Sequence, residues 1–560
     1  MDNKSDVVII GGVAAGPKTG ATLARRRPDL KITLFQKEEH LSYGTCGMPY
    51  FASGDINSFD DLLITSYDIP RNAEFFRKSK GFEAVTGTEV IALNRERKSV
   101  TVKTLATGET REHGYKKLIL ATGSNPVPSP FPVPDSPKVR PFTRPDDAIK
   151  FRQLAQTGQV GKVVIVGGGF IGCEMAEACT ALWGMETVLV EKETQLLPYV
   201  LDTEMSRLVE REMLRNDIKL HLGETVEKIE LNPDDNPVVT LAGGDKIAAD
   251  FVFLCLGVRP EVTLAREAGL ELGETGGILV DLTMQTSDPD IYAGGDCVES
   301  LNLISHKRFY IPMGSLANRH GRVIAENIAG RETEFKGAVG AFMIKAFDLN
   351  IGSVGLSERA AEKADLTARA VWASFPDKPD YYPESKTFTL KMIYDPESGR
   401  LLGLQAVGGG DICRRIDVFS SYLLREAAVD DLLDFEPGYA PPYAEAIDPL
   451  HHLAGIADAV RRGIDFVCPG TDGYDDDNIT WLDVREPDEQ ETHPWPCGNH
   501  QKLVKITLND LRDHLDELDK KAQIMIVCRR GPRSYQSAII LKDAGFEKVS
   551  IISGGTQASL

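Results

Sequence analysis

Two cysteines lie in sequence surroundings that favour sulfur chemistry. Cys46 stands in SYGTCGMPY, among small, flexible and aromatic residues, and the cysteine nearest to it along the chain is Cys173. Cys528 begins CRRGPRS, with Arg533 five positions further on. The thiolate is the reactive form of cysteine, and nearby positive charge increases its share. Because no cysteine lies close to Cys46 in sequence, we expect it to form a disulfide with sulfur that a substrate brings.

The residues TCG, which include Cys46, are predicted to begin a helix. The positive end of a helix dipole favours a thiolate, so we expect a lowered pKa for the Cys46 thiol. The alternative is an inert cysteine in a glycine-rich turn. An inert role is the expectation for five other cysteines, which are Cys173, Cys179, Cys255, Cys297 and Cys413.

Cys528 lies at the end of an apolar stretch and starts a loop whose amides can converge on its sulfur. Such a nest of amides stabilises an anion. Three arginines add positive potential at this loop: Arg529, Arg530 and Arg533. The loop resembles the sulfurtransferase form of the rhodanese-like family, which implies that Cys528 carries sulfur as a persulfide and that Arg533 is a further catalytic residue. The alternative is a loop with a purely structural role.

Two segments have the pattern of a strand, a glycine turn and a helix, which opens a βαβ unit. The first is DVVIIGGVAAGPKTGATLARRR, and the second is KVVIVGGGFIGCEMAEACTALWGMETVLVEKE. The second contains Gly167, Gly169 and Gly172 at the GxGxxG spacing. Glycines let the backbone approach a pyrophosphate, whose charge the following helix N-terminus stabilises. We predict two dinucleotide sites, although tight packing alone also explains a glycine turn.

The composition indicates a cytoplasmic protein of several domains. A chain of 560 residues exceeds what one hydrophobic core organises. The net charge of -20 disfavours binding to nucleic acid or to an anionic membrane, so we expect small-molecule partners. The 9 cysteines, without a CxxC pair or a zinc-type cluster, favour reduced thiols and no metal site. No signal-peptide pattern and no apolar run of membrane-spanning length are present.

The order of motifs resembles the pyridine nucleotide-disulfide oxidoreductase family. The motifs that carry the resemblance are GGVAAG, SYGTCGMPY, LILATGSNP, GGGFIG, IYAGGDC and YAPPY. Residues 1 to about 455 resemble the coenzyme A-disulfide reductase branch of that family. Residues 479 to 560 resemble a rhodanese domain, and fusions of this kind resemble NADH-dependent persulfide reductases.

The resemblance implies an α/β fold with two Rossmann-like domains that bind FAD and NAD(P), an α+β dimerisation domain and a C-terminal α/β rhodanese domain. The predicted boundaries are 1–150 with 251–330 for the FAD-binding domain, 151–250 for the NAD-binding domain, 331–455 for the dimerisation domain, 456–478 for a linker and 479–560 for the rhodanese-like domain. We therefore expect a homodimer.

Position in the family motifs assigns a set of residues to FAD and NADH. The predicted cofactor-binding residues are Gly11, Gly12, Ala15, Gly16, Gln36, Lys37, Val90, Thr122, Gly123, Asp296, Gly167, Gly169, Gly172, Glu191 and Gly257. Gln36 stands where the family usually has a glutamate that binds the adenosine ribose, which predicts weaker FAD binding. Glu191, 19 residues after Gly172, is placed to accept from a ribose 2'-hydroxyl and to repel a 2'-phosphate, so we expect NADH over NADPH.

A coenzyme A ligand brings phosphates, which an acidic protein must hold with local positive charge. The residues that the resemblance places at or near the coenzyme A groove are Lys18, Thr22, Arg25, Ser42, Thr45, Arg71 and Asn318. Lys18 and Arg25 are seven apart and share one helix face, which also fits a solvated helix end. Tyr439, and Tyr381 or Tyr382, match family tyrosines that donate a hydroxyl hydrogen bond in the partner subunit's active site; core packing is the alternative.

The function predicted from these features is NADH-dependent, FAD-containing reduction of persulfide, polysulfide and coenzyme A-disulfide. Cys46 would react with the substrate sulfur, and Cys528 would collect sulfane sulfur and offer it to an acceptor thiol. One alternative is a coenzyme A-disulfide reductase or NADH oxidase with an accessory rhodanese domain, and another is a persulfide sensor without turnover. Ala14 stands where the related peroxidases carry a histidine, which disfavours peroxide as the substrate.

Overall fold

The computed structural model describes residues 3–467, 479–495 and 502–559. The chain divides into two compact units. The first comprises Met1–Lys192 and Asp217–Ala338, and the second comprises Glu193–Asn216 and Val339–Leu560. Among the described residues, no helix is both long enough and apolar enough to cross a membrane.

A parallel sheet of five strands forms the first half of the first unit. Its strands, in spatial order, are Ile291–Ala293, Lys117–Leu120, Val7–Ile10, Ile32–Phe35 and Glu83–Val85. The two strands VVII and ITLF are buried along their whole length, as is typical of a parallel sheet that is covered on both faces. A helix, Ala15–Arg26, follows the central strand directly through the first glycine turn.

A second parallel sheet repeats this arrangement. Its strands, in spatial order, are Lys219–Leu222, Glu186–Glu191, Lys162–Val166, Phe251–Leu254 and Val139–Pro141. The helix Phe170–Glu177 follows the second glycine turn. The predicted boundaries 151 and 250 are wrong for this domain, because two of its strands lie outside them. Strand membership depends on pairing between segments far apart in sequence, and Phe251–Leu254 pairs directly with Lys162–Val166.

Smaller elements complete the first unit. The antiparallel strands are Thr88–Asn94, Ser99–Thr104 and Thr110–Gly114 in one sheet, Val226–Leu231, Pro237–Leu241 and Lys246–Ala248 in another, and the pairs Ser124–Pro126 with Val258–Pro260 and Ser300–Leu301 with Arg308–Phe309. The helical segments include Thr45–Gly47, Met48–Ser53, Phe59–Leu62, Ala73–Phe75, Phe76–Lys80, Pro145–Gln156, Ala178–Leu182, Thr263–Glu267 and Gly314–Ile328.

The second unit begins with an antiparallel sheet. Its strands, in spatial order, are Phe342–Ala346, Leu349–Gly355, Leu401–Gly408, Thr387–Tyr394 and Arg369–Pro376. The helices of this part are Thr203–Arg215, Glu358–Lys363, Cys413–Leu423, Val429–Leu433 and Pro449–Arg461. The strands pair antiparallel, and three of the helices follow the last strand in sequence, which agrees with the predicted α+β class for this domain.

Lys391 is a fully buried lysine in the antiparallel sheet. Its ammonium group forms ion pairs with Asp202, at 2.9 Å, and with Glu204 and Glu358. These carboxylates hold the pKa of Lys391 above its usual value despite burial. The three acids therefore surround the Lys391 ammonium. Because Asp202 and Glu204 lie at the start of the helix Thr203–Arg215, their ion pairs with Lys391 join this helix to the sheet.

The chain ends in a smaller parallel sheet. Its strands, in spatial order, are Asp465–Val467, Val549–Ile552, Gln523–Val527, Ile479–Asp483 and Lys502–Lys505, and its helical segments are Pro487–Thr492, Leu511–Asp513, Leu515–Glu517, Pro532–Asp543 and Gly555–Ser559. The linker predicted over 456–478 is wrong in its first part, because the helix runs to Arg461 and Asp465–Val467 pairs with Val549–Ile552. Residues 468–478 lie outside the described residues.

Candidate functional site

The two glycine turns of the first unit have the same tight geometry. A Cβ atom on Gly16 would lie 2.0 Å from the Gly11 carbonyl oxygen, and one on Gly172 would lie 1.9 Å from that of Gly167. Gly11 and Gly167 also have φ values of 109° and 112°, which L side chains rarely adopt. Glycine is therefore required at these four positions for each helix to start against its strand.

Gln36 and Glu191 occupy equivalent places beside these turns. The Gly12 amide donates to Gln36 Oε1 at 2.7 Å, and the Gly168 amide donates to Glu191 Oε2 at 2.6 Å. Both side chains are buried at the end of the second strand of their sheet. Gln36 thus keeps the acceptor oxygen of the acid that it replaces and lacks only the charge.

The residues near the first turn suit FAD. Nothing lies within 4 Å of the place where a Cβ on Gly123 would stand, so the backbone is open there. Burial raises the pKa of Asp296, whose carboxylate accepts from the Ser124 hydroxyl at 3.4 Å. The Asp296 carboxylate can therefore accept a further hydrogen bond from a hydroxyl group of a cofactor. Thr122 uses its own hydroxyl to donate to the Glu261 carbonyl at 2.6 Å.

His320 is a buried residue of this region that sequence reasoning missed. Its Nδ1 accepts a hydrogen bond from the Gly295 amide at 3.2 Å, next to Asp296. Burial lowers the pKa of His320 to about 3, so the ring is neutral and keeps this acceptor. Position 320 lies inside an ordinary amphipathic helix, and only the tertiary structure brings it to the glycine turn.

The remaining cofactor candidates lie in varied surroundings. Ala15 is the buried first residue of its helix, Val90 is buried in an antiparallel strand, and Lys37 forms an ion pair with Glu89 at 2.7 Å. Gly169, which precedes the second glycine-turn helix, and Gly257 have open space where a side chain would stand. Open backbone of this kind around Gly169 suits the pyrophosphate of NADH.

Cys46 lies exposed in a one-turn helix, Thr45–Gly47, that leads into Met48–Ser53. Partial desolvation by the surrounding loop raises the pKa of its thiol, and the carboxyl groups of Glu174 and Asp296 raise it further. The prediction of a lowered pKa is therefore wrong for the chain alone. A short helix and one backbone hydrogen bond do not outweigh burial and two acids.

Glu174 is a second residue near Cys46 that sequence reasoning missed. It sits two positions after Gly172 on the second glycine-turn helix, and Tyr50 donates to its Oε1 at 3.5 Å. Burial raises the pKa of Glu174 to about 7, and the nearby Glu177 raises it too. The available signal was an acidic residue in an otherwise apolar helix start, GFIGCEMAE.

The loop that carries Cys46 is held through Leu62. A Cβ on Gly47 would lie 2.4 Å from the Leu62 side chain, so the two segments are in close contact. The Leu62 carbonyl accepts from the Gly44 amide at 3.0 Å and from Arg71 Nη2 at 2.7 Å, while Arg71 Nε donates to the Leu63 carbonyl at 3.2 Å. Arg71 therefore uses its guanidinium to position the loop.

The other predicted coenzyme A residues fall into two groups. Lys18, Thr22 and Arg25 lie on one helix, where Arg25 Nη2 donates to Thr22 Oγ1 at 3.4 Å. A Cβ on Gly321 would lie 3.0 Å from Lys18 Cβ, so the helix Gly314–Ile328 crosses here. Asn318 lies one turn before Gly321 on that helix.

The second group precedes Cys46. Ser42 has a φ of 49°, and its amide donates to the Gly12 carbonyl at 2.7 Å. Thr45 is exposed and adjoins Cys46. The Ser42–Gly12 hydrogen bond ties the cysteine loop to the first glycine turn, so Cys46 and the predicted FAD site belong to one structural region.

Cys528 follows the strand Gln523–Val527 and is buried. The Gly531 amide donates to its Sγ at 3.0 Å, and the φ of Gly531 is 114°, which favours glycine. Arg533 binds Glu489 through two hydrogen bonds of 2.6 and 2.8 Å. The Gly531 amide lies where the predicted loop requires a donor to the sulfur, and the role of the loop in stabilising an anion stays a prediction. The Glu489 carboxylate compensates the charge of Arg533, which is part of the positive charge predicted for this loop.

Tyr381 lies beside Tyr439 in the second unit. Desolvation raises the pKa of Tyr381, and the neighbouring Tyr439 and the charge of Glu445 raise it further. Tyr382 instead lies under the Lys378 ammonium, at 5.4 Å from the ring centre. Because Tyr439 is 52% exposed and Tyr381 is 76% exposed, core packing does not explain either residue.

Comparison with protein families identifies the class of protein. The pyridine nucleotide-disulphide oxidoreductase model matches residues 5–309, its dimerisation domain matches residues 342–451, and a rhodanese-like domain model matches residues 471–559. The chain belongs to the pyridine nucleotide-disulphide oxidoreductase family, whose members use FAD and NAD(H), and the predicted fold class is confirmed.

Three individual proteins are similar to this chain over most of its length. An NAD(P)H sulfur oxidoreductase (CoA-dependent) from Pyrococcus abyssi is 36% identical over 81% of this chain and 98% of its own. The solved structure of an NAD-dependent persulfide reductase from A. fulgidus matches with a TM-score of 0.93 and 36% identity, over 99% of this chain and 100% of its own. Reduced CoADR-RHD from Bacillus anthracis matches with a TM-score of 0.92 and 31% identity, over 99% and 98%.

Proposed function

We propose that this protein reduces persulfides and polysulfides, including coenzyme A persulfide, and also coenzyme A-disulfide, with NADH as the electron donor. The observation that carries this proposal is the presence in one chain of two distinct cysteine sites. Cys46 lies in the region of the predicted FAD site, and Cys528 lies in an anion-stabilising loop of the rhodanese-like domain. Similarity to a persulfide reductase over 99% of the chain supports it.

The first half of the reaction takes place at Cys46. Its thiolate attacks the inner sulfur of a persulfide R–S–SH, which forms the mixed disulfide Cys46–S–S–R and releases HS⁻. When bound, FAD supplies the two electrons from NADH that return such a disulfide to two thiols. The raised pKa of Cys46 means that the chain alone disfavours the thiolate, so stabilisation of the thiolate is left to the bound cofactor.

The nucleotide specificity follows from Glu191. Its carboxylate is buried at the end of the second strand and is anchored by the Gly168 amide. A ribose 2'-hydroxyl can donate to this acid, whereas a 2'-phosphate would place like charges side by side. We therefore propose NADH as the preferred donor.

A second copy of the chain completes the site in this proposal. The match to a dimerisation domain supports a homodimer. The exposed hydroxyls of Tyr439 and Tyr381 are available to reach the active site of that copy and to donate to the departing thiolate.

Cys528 supplies the second half of the proposal. Its persulfide would be stabilised by the Gly531 amide and would pass sulfane sulfur to an acceptor thiol. The alternative function, a coenzyme A-disulfide reductase with an accessory rhodanese domain, is favoured by the similarity to CoADR-RHD from Bacillus anthracis.

One experiment separates these functions. Anaerobic NADH consumption and sulfide release are measured side by side with coenzyme A persulfide, polysulfide and coenzyme A-disulfide, for the unchanged protein and for Cys46→Ser, Cys528→Ser and the exposed control Cys413→Ser. We expect Cys46→Ser to bind FAD and accept electrons from NADH but to reduce none of the three. Cys528→Ser should lose sulfur transfer from polysulfide and keep the reduction of coenzyme A persulfide.

Three outcomes would contradict parts of this proposal. Turnover of coenzyme A-disulfide without turnover of either sulfane substrate would favour the alternative function. If Cys528→Ser stopped coenzyme A persulfide reduction as completely as Cys46→Ser, the two cysteines would form one obligatory relay. Retained persulfide reduction in Cys46→Ser would refute the role assigned to Cys46.

A further inference from the structure

Cys528 opens into a cavity that two domains of the second unit build together. The cavity has a volume of about 470 Å³, and it is lined by the cysteine loop and by the end of the strand Arg369–Pro376. The Ser374 amide donates to the Arg530 carbonyl at 3.0 Å, and the Gly554 amide donates to the Trp372 carbonyl at 3.1 Å. These main-chain hydrogen bonds hold the end of the strand and the terminal domain together, so the cavity is part of the folded second unit.

Two of the three arginines at this cavity are neutralised by acids that also line it. Arg533 is paired with Glu489 through two hydrogen bonds. Arg530 is paired with Asp380 at 3.2 Å. Each of these pairs contributes little net charge to the space in front of Cys528.

One cation and one anion in the lining have no direct partner among the described residues. Within the part of the chain that the structure describes, neither Arg529 nor Glu445 has a hydrogen bond or an ion pair on its side chain. Burial raises the pKa of Glu445 and the charge of Asp380 raises it further, and the charges of Arg530 and Arg415 offset part of this rise. A positive group bound beside Glu445 would relieve both effects, because it restores the stabilisation that the carboxylate loses on burial.

The rest of the lining is apolar or neutral. Phe375, Pro376 and Pro532 line the cavity, and the Phe375 ring stacks on His452 with 5.8 Å between ring centres. Burial and the neighbouring His451 lower the pKa of His452, so this ring is uncharged. The surface between Arg529 and Glu445 therefore suits a short carbon chain.

We propose that this cavity binds a small thiol that carries both an ammonium and a carboxylate group, and that such an aminothiol is the sulfur acceptor of Cys528. The ammonium lies at Glu445, the carboxylate at Arg529 and the thiol at the cysteine. The inference deepens the proposed sulfur transfer at Cys528 and rests on it. A polyphosphate-bearing thiol such as coenzyme A fits less well, because the Glu445 carboxylate repels phosphates.

The transfer step balances without an added oxidant or reductant. The acceptor thiolate R–S⁻ attacks the outer sulfur of Cys528–S–SH. A bond forms between the acceptor sulfur and the outer sulfur, and the bond between the outer sulfur and Cys528 breaks. The products are R–S–SH and the Cys528 thiolate, to which the Gly531 amide donates. The proton on the outer sulfur moves with it.

The test uses the full-length holoprotein with Cys46→Ser, without NADH, so that no reduction competes. Cys528 is loaded from thiosulfate or polysulfide, and kcat/KM for transfer is measured with L-cysteine, 3-mercaptopropionate, cysteamine and coenzyme A. Glu445→Gln and Arg529→Gln are compared with Glu397→Gln, an exposed acid in the turn after the strand Thr387–Tyr394. Each result is read as a ratio between two thiols, which cancels their intrinsic reactivities.

We expect Glu445→Gln to lower the ratio of L-cysteine to 3-mercaptopropionate about 10-fold and to leave the ratio of L-cysteine to cysteamine unchanged. Arg529→Gln should do the reverse, and Glu397→Gln should change neither ratio. If Glu445→Gln leaves the first ratio unchanged, the proposal is wrong. It is also wrong if coenzyme A is a better acceptor than L-cysteine.

A second measurement separates this inference from the sulfur transfer itself. S-methylcysteine, which cannot accept sulfur, should protect Cys528 from iodoacetamide in peptide-resolved mass spectrometry, and Glu445→Gln should weaken the protection about 10-fold. If neither thiosulfate nor polysulfide loads Cys528 but S-methylcysteine still protects it, the aminothiol site is supported and the proposed sulfur transfer is wrong. Absence of protection in the protein with intact Glu445 overturns the site.

Discussion

The Gly168 amide donates a hydrogen bond to the Glu191 carboxylate at 2.6 Å. Gln36 repeats this contact with the Gly12 amide at 2.7 Å in the first glycine turn. The two Rossmann-like halves therefore hold the side chain at the end of their second strand in the same way. They differ in charge, and charge is the property that decides between a 2'-hydroxyl and a 2'-phosphate.

The first prediction follows from that difference. Glu191→Gln keeps an acceptor oxygen for Gly168 and removes the charge, so NADPH is no longer repelled. We expect the rate of flavin reduction with NADPH, relative to NADH, to rise about 10-fold in stopped flow. Glu186→Gln is the matched control, because Glu186 lies on the same strand and pairs with Lys162 and Lys219. An equal rise in the control would show that the effect is not local to Glu191.

The second prediction concerns Glu174 and the reactivity of Cys46. Glu174 raises the pKa of the Cys46 thiol, so Glu174→Gln should lower it. The pH profile of Cys46 alkylation, read by peptide mass spectrometry, should move to lower pH in this variant. Glu83→Gln, an exposed substitution in the first sheet, should leave the profile in place. A profile unchanged by Glu174→Gln would contradict the proximity of the two groups.

The third prediction concerns stability and the same carboxyl group. Folding raises the pKa of Glu174 from 4.5 to about 7, so the folded protein binds more protons than the unfolded chain between these pH values. The favourable contribution of the neutral acid is complete below pH 4.5 and is lost as the pH rises through 7. Relative to the unchanged protein, Glu174→Gln should gain up to about 3 kcal/mol between pH 4.5 and 8. Thermal melts at both pH values measure this difference, and a constant difference would refute it.

The fourth prediction concerns the loop at Cys528. Arg533→Lys keeps the positive charge but cannot form two parallel hydrogen bonds with Glu489. We expect the rate of sulfur loading at Cys528 from thiosulfate to fall about 10-fold, as measured by peptide mass spectrometry. Arg512→Lys, an exposed change in the same domain, is the control. If Arg533→Lys loads at the normal rate, positive charge alone suffices at this position.

The fifth prediction concerns Lys391. Lys391→Met leaves Asp202, Glu204 and Glu358 together without the ammonium that pairs with them. Removing one partner of a buried ion pair costs about 3–5 kcal/mol, so the melting temperature of the second unit should fall by roughly 6 °C or more. Lys386→Met, an exposed change just before the strand that carries Lys391, should shift it little. A metal ion that restored the stability of Lys391→Met would show that the three acids can ligate a cation.

Local sequence determined the parts of this protein that depend on short-range geometry. The glycines at positions 11, 16, 167 and 172 were predictable because only a residue without Cβ fits between each turn and its helix. Glu191 could be located by counting along one strand–turn–helix–strand segment. The order of domains followed from the order of such segments, and the family assignment confirms that fold.

The tertiary structure alone decided which distant residues meet. Glu174 reaches the surroundings of Cys46 from the second glycine-turn helix, and desolvation together with the charges of Glu174 and Asp296 reverses the direction predicted for the Cys46 pKa. Phe251–Leu254 joins the second sheet, and Asp465–Val467 joins the last one, by pairing with strands far away in sequence. The cavity at Cys528 combines the end of an antiparallel strand with a loop more than a hundred residues later. No local pattern encodes such contacts, because burial and charge at a site depend on every segment that packs there.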